Sequence, residues 1–221
     1  MTLSDLIRRF RVLADDKAAP YLWADEDITD WLNDAQVQAC VRGRLMLEDA
    51  DPAMCEVAIE AGRHTYPLHT KLYELVRLSF KAAGGSCSAE LKLVSRGWLD
   101  ERFPRWRDDN RATGYAIQGE KSIRLVGNPS SAGVLTIEAY RLPLNPMEDT
   151  DDEPEIHEAS HEHLIHWALH KAFSVPNAEV FDPQRAAQAE RVFTAYFGIA
   201  PDSDMRRITR EDTGHTNRVH L

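Results

Sequence analysis

One stretch constrains the fold more than any other: Pro154-Glu155-Ile156-His157-Glu158-Ala159-Ser160-His161-Glu162-His163-Leu164-Ile165-His166-Trp167-Ala168-Leu169-His170-Lys171-Ala172-Phe173. Ile165, Ala168, Leu169, Ala172 and Phe173 recur at three- and four-residue steps, which predicts a helix with one buried stripe. Pro154 suits the first turn of that helix, and Glu155 and Glu158 suit the positive end of its dipole. The histidines are read as a polar, titratable outer face. The same stretch contains His157-Glu158-Ala159-Ser160-His161, which fits H-E-x-x-H and so raises a zinc peptidase as one alternative. A third ligand is then required, and Glu179 is the nearest downstream candidate. The polar setting and the position after an acidic run argue against a dry, fixed catalytic wall.

The remaining chain reads as helices around a β-rich middle. Leu3, Leu6, Ile7, Phe10, Leu13 and Ala14 form a first helical stripe, followed by the apolar connector Pro20-Tyr21-Leu22-Trp23. A second helix is predicted from Asp25, capped by that residue, to about Leu47, with Ile28, Trp31, Leu32, Ala35 and Ala39 buried. Alternation then marks strands near Cys55–Ala61, Tyr73–Phe80, Leu91–Leu93, Tyr115–Ile117, Ser122–Val126 and Val134–Tyr140. Gly97–Trp106 reads as an irregular aromatic segment, and Glu148–Glu153 as a solvated acidic linker. Pro183 opens a last helix, with Ala186, Ala189, Val192, Phe193, Tyr196 and Phe197 in its stripe and Gly198 ending it.

The expected fold is therefore α+β. It has a mainly α-helical core, an N-terminal helix pair plus a C-terminal αα-hairpin, with an inserted small antiparallel β-sheet or sandwich. The expected parts are residues 1–51 (helical), 52–146 (inserted β part), 147–200 (hairpin packed on the first helices) and 201–221 (flexible tail).

Composition narrows the function. The 26 basic and 36 acidic residues give a net charge of −10, which disfavours a broad grip on the phosphate backbone. Cys40, Cys55 and Cys87 are few, widely spaced and without C-x-x-C, so neither a disulfide framework nor a cysteine zinc site is expected. No apolar run reaches the roughly 18 residues of a membrane helix, and no secretion signal is read at the N-terminus. There is no phosphate loop and no G-x-S-x-G. No catalytic, cofactor or metal residues are assigned. Trp98, Phe103 and Trp106 among Arg102, Arg105, Arg107 and Arg111 form a basic-aromatic cluster. It suits a protein interface, where Trp and Arg are common anchors, and less well a base-stacking surface. Candidate interface residues are Tyr21, Leu22, Trp23, Trp98, Phe103, Arg105 and Trp106, with Arg206, Arg207 and Arg210 in the tail.

These residues, taken in order, resemble a known family. Pro20-Tyr21-Leu22-Trp23, Asp25 through Trp31-Leu32-Asn33-Asp34-Ala35-Gln36, Arg42 and Arg44 are similar to the N-terminal part of tailed-phage head–tail adaptor (connector) proteins. The similarity continues through Tyr66-Pro67-Leu68, Leu99-Asp100, Trp106, Gly114-Tyr115, Ile123-Arg124-Leu125 and Arg141. It ends with Pro154-Glu155-Ile156, His161, Leu164-Ile165, Trp167-Ala168-Leu169, Ala172-Phe173, Asp182 and Phe193 to Phe197-Gly198. The resemblance implies a non-enzymatic virion protein at the head–tail junction, present in the host cytoplasm during assembly. It implies a ring of usually twelve copies in the virion and leaves the isolated chain free to be monomeric. Portal protein and tail or stopper proteins are the implied partners. Packaged DNA passes through without specific binding, and no membrane is involved. On that reading His157 is incidental.

Overall fold

The computed structural model describes residues 1–176 and 180–201. In chain order the elements are α1 (Leu3–Ala14), α2 (Asp25–Gly43), β1 (Leu47–Glu48), α3 (Pro52–Cys55), β2 (Glu56–Ile59), β3 (Thr65–Pro67), β4 (Leu72–Ala82), β5 (Ala89–Leu93), α4 (Arg96–Arg102), β6 (Tyr115–Gln118), β7 (Ser122–Leu125), β8 (Gly133–Arg141), α5 (His161–Phe173) and α6 (Pro183–Phe197). A single 3-10 turn, Glu158–Ser160, precedes α5. The chain divides into two compact units, one from Met1–Met46 with Leu142–Ala200, the other from Leu47–Arg141.

The first unit is helical. Leu6, Phe10, Ile28, Leu32, Leu164, Ile165 and Phe193 are almost wholly buried in one core, and each contributes on the order of 1.5–3 kcal/mol by burial. Trp23 stands edge-on to Phe10 and to Phe173, both at 5.6 Å. α5 lies at the centre: eight of its thirteen residues are buried, so it has no broad polar outer face. His161 is in the core, His170 meets the Ala186 carbonyl at 3.1 Å, and His163 stacks on Tyr196 of α6 at 3.6 Å.

Helix starts differ from the sequence reading in two places. Ala24, not Asp25, is the N-cap of α2, without a side-chain capping bond, because the Asp25 carboxylate is drawn to Arg11. The organising helix starts at His161, not at Pro154. The Glu155 amide donates to the Gln36 side chain and Ile156 is buried, and both contacts hold this segment outside the helix. The second helix also ends at Gly43, and Leu47 belongs to a strand. The acidic run is not a free linker. The Glu148 and Asp149 amides both donate to the Asp152 carboxylate, and the Leu3 and Ser4 amides donate to the Asp152 and Thr150 carbonyls. Its carbonyls thus satisfy two of the orphan donors at the α1 N-terminus.

The second unit corrects the expected fold class. It is not a small antiparallel insertion on a helical core; the protein is mixed α/β, with a large curled half-barrel sheet. The path runs β1-β8-β4-β5-β6-β7-β3, and β2 also pairs with β8. β1 pairs with Tyr140 and Ala139, while β2 pairs with Gly133–Thr136, so eight strands fill seven positions. β4 and β8 form the spine, and two register shifts in β4, between Leu72 and Glu74 and between Leu75 and Arg77, bend it. β5 and β6 are parallel, because α4 lies in the crossover that returns the chain to the same end of the sheet. The unit has its own buried cluster, including Leu78, Ile123, Leu135 and Ile137.

The correction has a physical origin. β1, β3 and the pairing of β5 with β6 are two- or three-residue pieces, too short to show alternation. Their stability comes from partners distant in sequence, which single-chain patterning does not display.

Candidate interaction surfaces

The connector after α1 is fixed by a buried ion pair. Arg11 Nη1 meets Asp16 Oδ2 at 2.6 Å, with side chains 10% and 2% exposed. Arg11 Nη2 also donates to the Trp23 carbonyl at 3.0 Å and to the Asp25 carboxylate, and the Leu22 amide donates to Asp16 Oδ1 at 3.0 Å. A buried charge is costly unless paired and hydrogen-bonded, and this loop conformation supplies Arg11 with those partners. That conformation buries Trp23 and turns Tyr21 and Leu22 outward, 51% and 56% exposed. The Arg11 guanidinium lies 3.8 Å from the Tyr21 ring centroid. Of the three candidates here, Tyr21 and Leu22 are surface groups and Trp23 is core.

The aromatic segment of the second unit is a capped helix and a tight loop. Ser95 caps α4 through the Trp98 amide at 3.0 Å. Leu99 and Trp106 are buried with Val94, Ile117 and Val126. Asp100 gathers the end of the loop, accepting from Trp106 Nε1 at 2.8 Å and from both Arg107 Nη atoms. The Arg107 hydrogen bonds are the main cause holding the Asp100 carboxyl below its usual range. Asp109 is held down to about 2, first by its side-chain bonds to Arg111. Gly127, at φ +80°, closes the loop: a Cβ there would lie 1.9 Å from the Arg111 carbonyl oxygen.

The Trp98 and Trp106 rings in this segment carry cations over them. Arg107 and Arg124 sit over the Trp106 ring at 4.4 and 5.0 Å, Arg102 sits over Trp98 at 5.3 Å, and Trp98 meets Tyr115 and Phe103 at 5.1 and 5.9 Å. A base-stacking platform needs an open ring face, and Phe103 is the exposed ring of this cluster. Phe103, 41% exposed, and Arg105 border a shallow groove of ≈ 290 Å³ with Trp106. Trp98 is half-buried, and Trp106 is interior. Arg206, Arg207 and Arg210 lie outside the described residues.

The H-E-x-x-H residues do not converge. His157 caps the 3-10 turn, its Nδ1 accepting from the Ala159 amide at 3.1 Å, so it is not one helical turn below His161 in α5. His161 is 2% exposed; its Nε2 donates to the Ile156 carbonyl at 2.8 Å and its Nδ1 faces the Met1 amino group at 3.1 Å. Those contacts fix the Nε2–H tautomer and occupy both ring nitrogens. Glu179 lies outside the described residues. Among the described residues no group of three His, Cys, Asp or Glu could hold a metal ion.

A family model described as SU10 adaptor protein matches residues 1–218. The chain belongs to the SU10 adaptor family. This is a family of phage head–tail adaptors, structural proteins and not a class of enzymes. The chain accordingly has a structural, adaptor role in the phage. No curated protein matches the chain. Among the described residues no helix is long and apolar enough to cross a membrane.

Two features of this SU10 adaptor lie outside the candidates read from sequence. One is the Arg11–Asp16 pair, whose members only the turn of the chain brings together. The other is a groove of ≈ 570 Å³ along α5 and α6, floored by Leu169, Phe173, Ala189 and Val192 and edged by Arg185 and Arg191. A signal for it was present, since Gln184, Arg185, Gln188 and Arg191 share the face of α6 beside its apolar stripe.

Proposed function

We propose that this SU10 adaptor forms a ring, of about a dozen copies by the family resemblance, that joins the portal to tail or stopper proteins and surrounds the DNA channel. The single observation that carries this reading is the match to the adaptor family across residues 1–218. The net charge of −10 supports it, because a lumen that lets DNA slide should repel phosphates and not hold them.

In this reading residues 1–51 and 147–200 build the ring, residues 52–146 face outward or tailward, and residues 201–221, with Arg206, Arg207 and Arg210, dock on the portal. Tyr21, Leu22, Trp98, Phe103 and Arg105 are the interface groups, while Trp23 and Trp106 set their loops from within. Mixing the full chain with purified portal rings and imaging by cryo-EM tests the proposal. A larger complex with adaptor density on one face of the portal is expected. Portal rings that stay bare at saturating adaptor overturn it.

A further inference from the structure

α5 and α6 meet along a seam that carries histidines. Tyr196 of α6 clamps the start of α5: its ring stacks on His163 at 3.6 Å, 17° from parallel, and its hydroxyl donates to the Ala159 carbonyl at 3.4 Å. The Nδ1 of His163 is buried without a hydrogen-bond partner, so this end of the seam has no spare acceptor beside it. His166, 6.3 Å from His163, is half-buried. It borders the ≈ 570 Å³ cavity along α5 and α6 together with Leu13, Val192, Arg185 and Arg191. His161 and His170 each meet a backbone carbonyl. His166 has no hydrogen-bond or ion-pair partner among the described residues.

The charges around His166 are mostly positive. From α6 come Arg185 and Arg191, while Glu190 of that helix acts on Arg42. From α1 comes Arg9, which pairs with Glu162 at 2.8 Å. α5 itself supplies Glu162, His163 and His170, so its one nearby carboxylate is already engaged. From α2, Asp34 and Arg42 are committed to Trp167. We propose that His166 is a pH-sensitive latch between α5 and α6: neutral, it lies in the seam and lets α6 pack; protonated, it meets arginines without a free carboxylate and loosens α6. That helix leads the chain into residues 202–221. Burial, and then His163, lowers the His166 pKa from its ordinary value of 6.5, against an opposing pull from Glu162. A state with α6 detached therefore takes up the proton first. The hold is complete above the ordinary value and is lost as pH falls from it toward the lower folded value. The device belongs to the chain alone and does not depend on the ring reading.

Hydrogen exchange of the full-length chain by mass spectrometry tests it, with protection corrected for the intrinsic rate at each pH. Between pH 7.5 and 5.5, α6 peptides of the wild type should lose protection about threefold or more beyond the loss in α2 peptides. His166→Gln, neutral at both pH values, should protect α6 like wild type at pH 7.5 and abolish that excess loss at pH 5.5. Circular dichroism checks that the variant folds. A histidine NMR titration of the wild-type chain gives a second readout that needs no variant, and His166 should titrate below 6.5. Equal losses in α6 and α2, an excess loss that persists in His166→Gln, or a His166 that titrates at or above its ordinary value overturns the latch.

Discussion

Gln118 closes a gap in the curled sheet with its side chain. It ends β6, just beyond the two residues of β5 that pair with that strand. There its Oε1 accepts from the Leu75 amide of β4 at 3.1 Å, and its Nε2 donates to the Tyr73 carbonyl at 2.8 Å. One carboxamide thus supplies an acceptor and a donor to β4 at its two register shifts. Gln118→Met keeps much of the volume and removes both bonds. Leaving an amide of this kind without its acceptor costs roughly 1–3 kcal/mol, and the lost carbonyl contact adds about 0.5–1.5 kcal/mol. The expected loss is therefore about 1.5–4.5 kcal/mol for the second unit. Gln118→Glu keeps the acceptor and loses the donor, so its cost should fall between wild type and Met. Native-state hydrogen exchange by mass spectrometry reads this locally: peptides covering β4 and β6 should exchange at least tenfold faster, with α5 and α6 unaffected. Gln118→Met within 0.5 kcal/mol of wild type, with unchanged exchange in β4, refutes the reasoning.

Other consequences are as direct. Asp16→Asn should destabilise the first unit by about 1–3 kcal/mol, because it removes the more buried of the two carboxylates paired with Arg11 and leaves Asp25 and the Trp23 carbonyl in place; urea unfolding followed by circular dichroism measures it. Glu48 is held below its usual pKa, first by the Asp51 amide, then by the Ala50 amide and Arg141. Its contribution is complete above the ordinary Glu value of 4.5 and fades as pH falls below that through the lower folded value. Glu48→Gln should flatten the loss of stability with acid in that window, which unfolding at a series of pH values will show. Cys55 is buried and its thiol is pushed up to about 11, mainly by burial, and Cys40 is wholly buried. A thiol reagent at pH 8 should therefore label the folded chain once, at Cys87, and three times after denaturation.

Much of the helical unit was legible because its signals are local. α1 and α6 follow their apolar stripes, and Pro183 and Gly198 mark the ends of α6. Asp182 caps α6 through the Gln184 and Arg185 amides, both at 3.0 Å. α4 carried a readable cap in Ser95, which the surrounding aromatic residues obscured. What the sequence did not display depends on distant partners. The start of α5 is set by Gln36 and by burial of Ile156. The acidic run is ordered by the end of α1. The size of the sheet rests on short strands and on Gln118, whose role exists only once β4 is beside it. The surface candidates divide similarly: exposure of Tyr21 and Leu22 and burial of Trp23 follow from one ion pair, and composition alone treats all three alike.

The proposed role makes this chain a structural joint in the virion. A cryo-EM reconstruction of the intact particle at the head–tail junction tests it most directly. A closed ring of this chain between portal and tail, with the DNA channel running through it, is expected. Particles that carry the complete junction without this chain would contradict it.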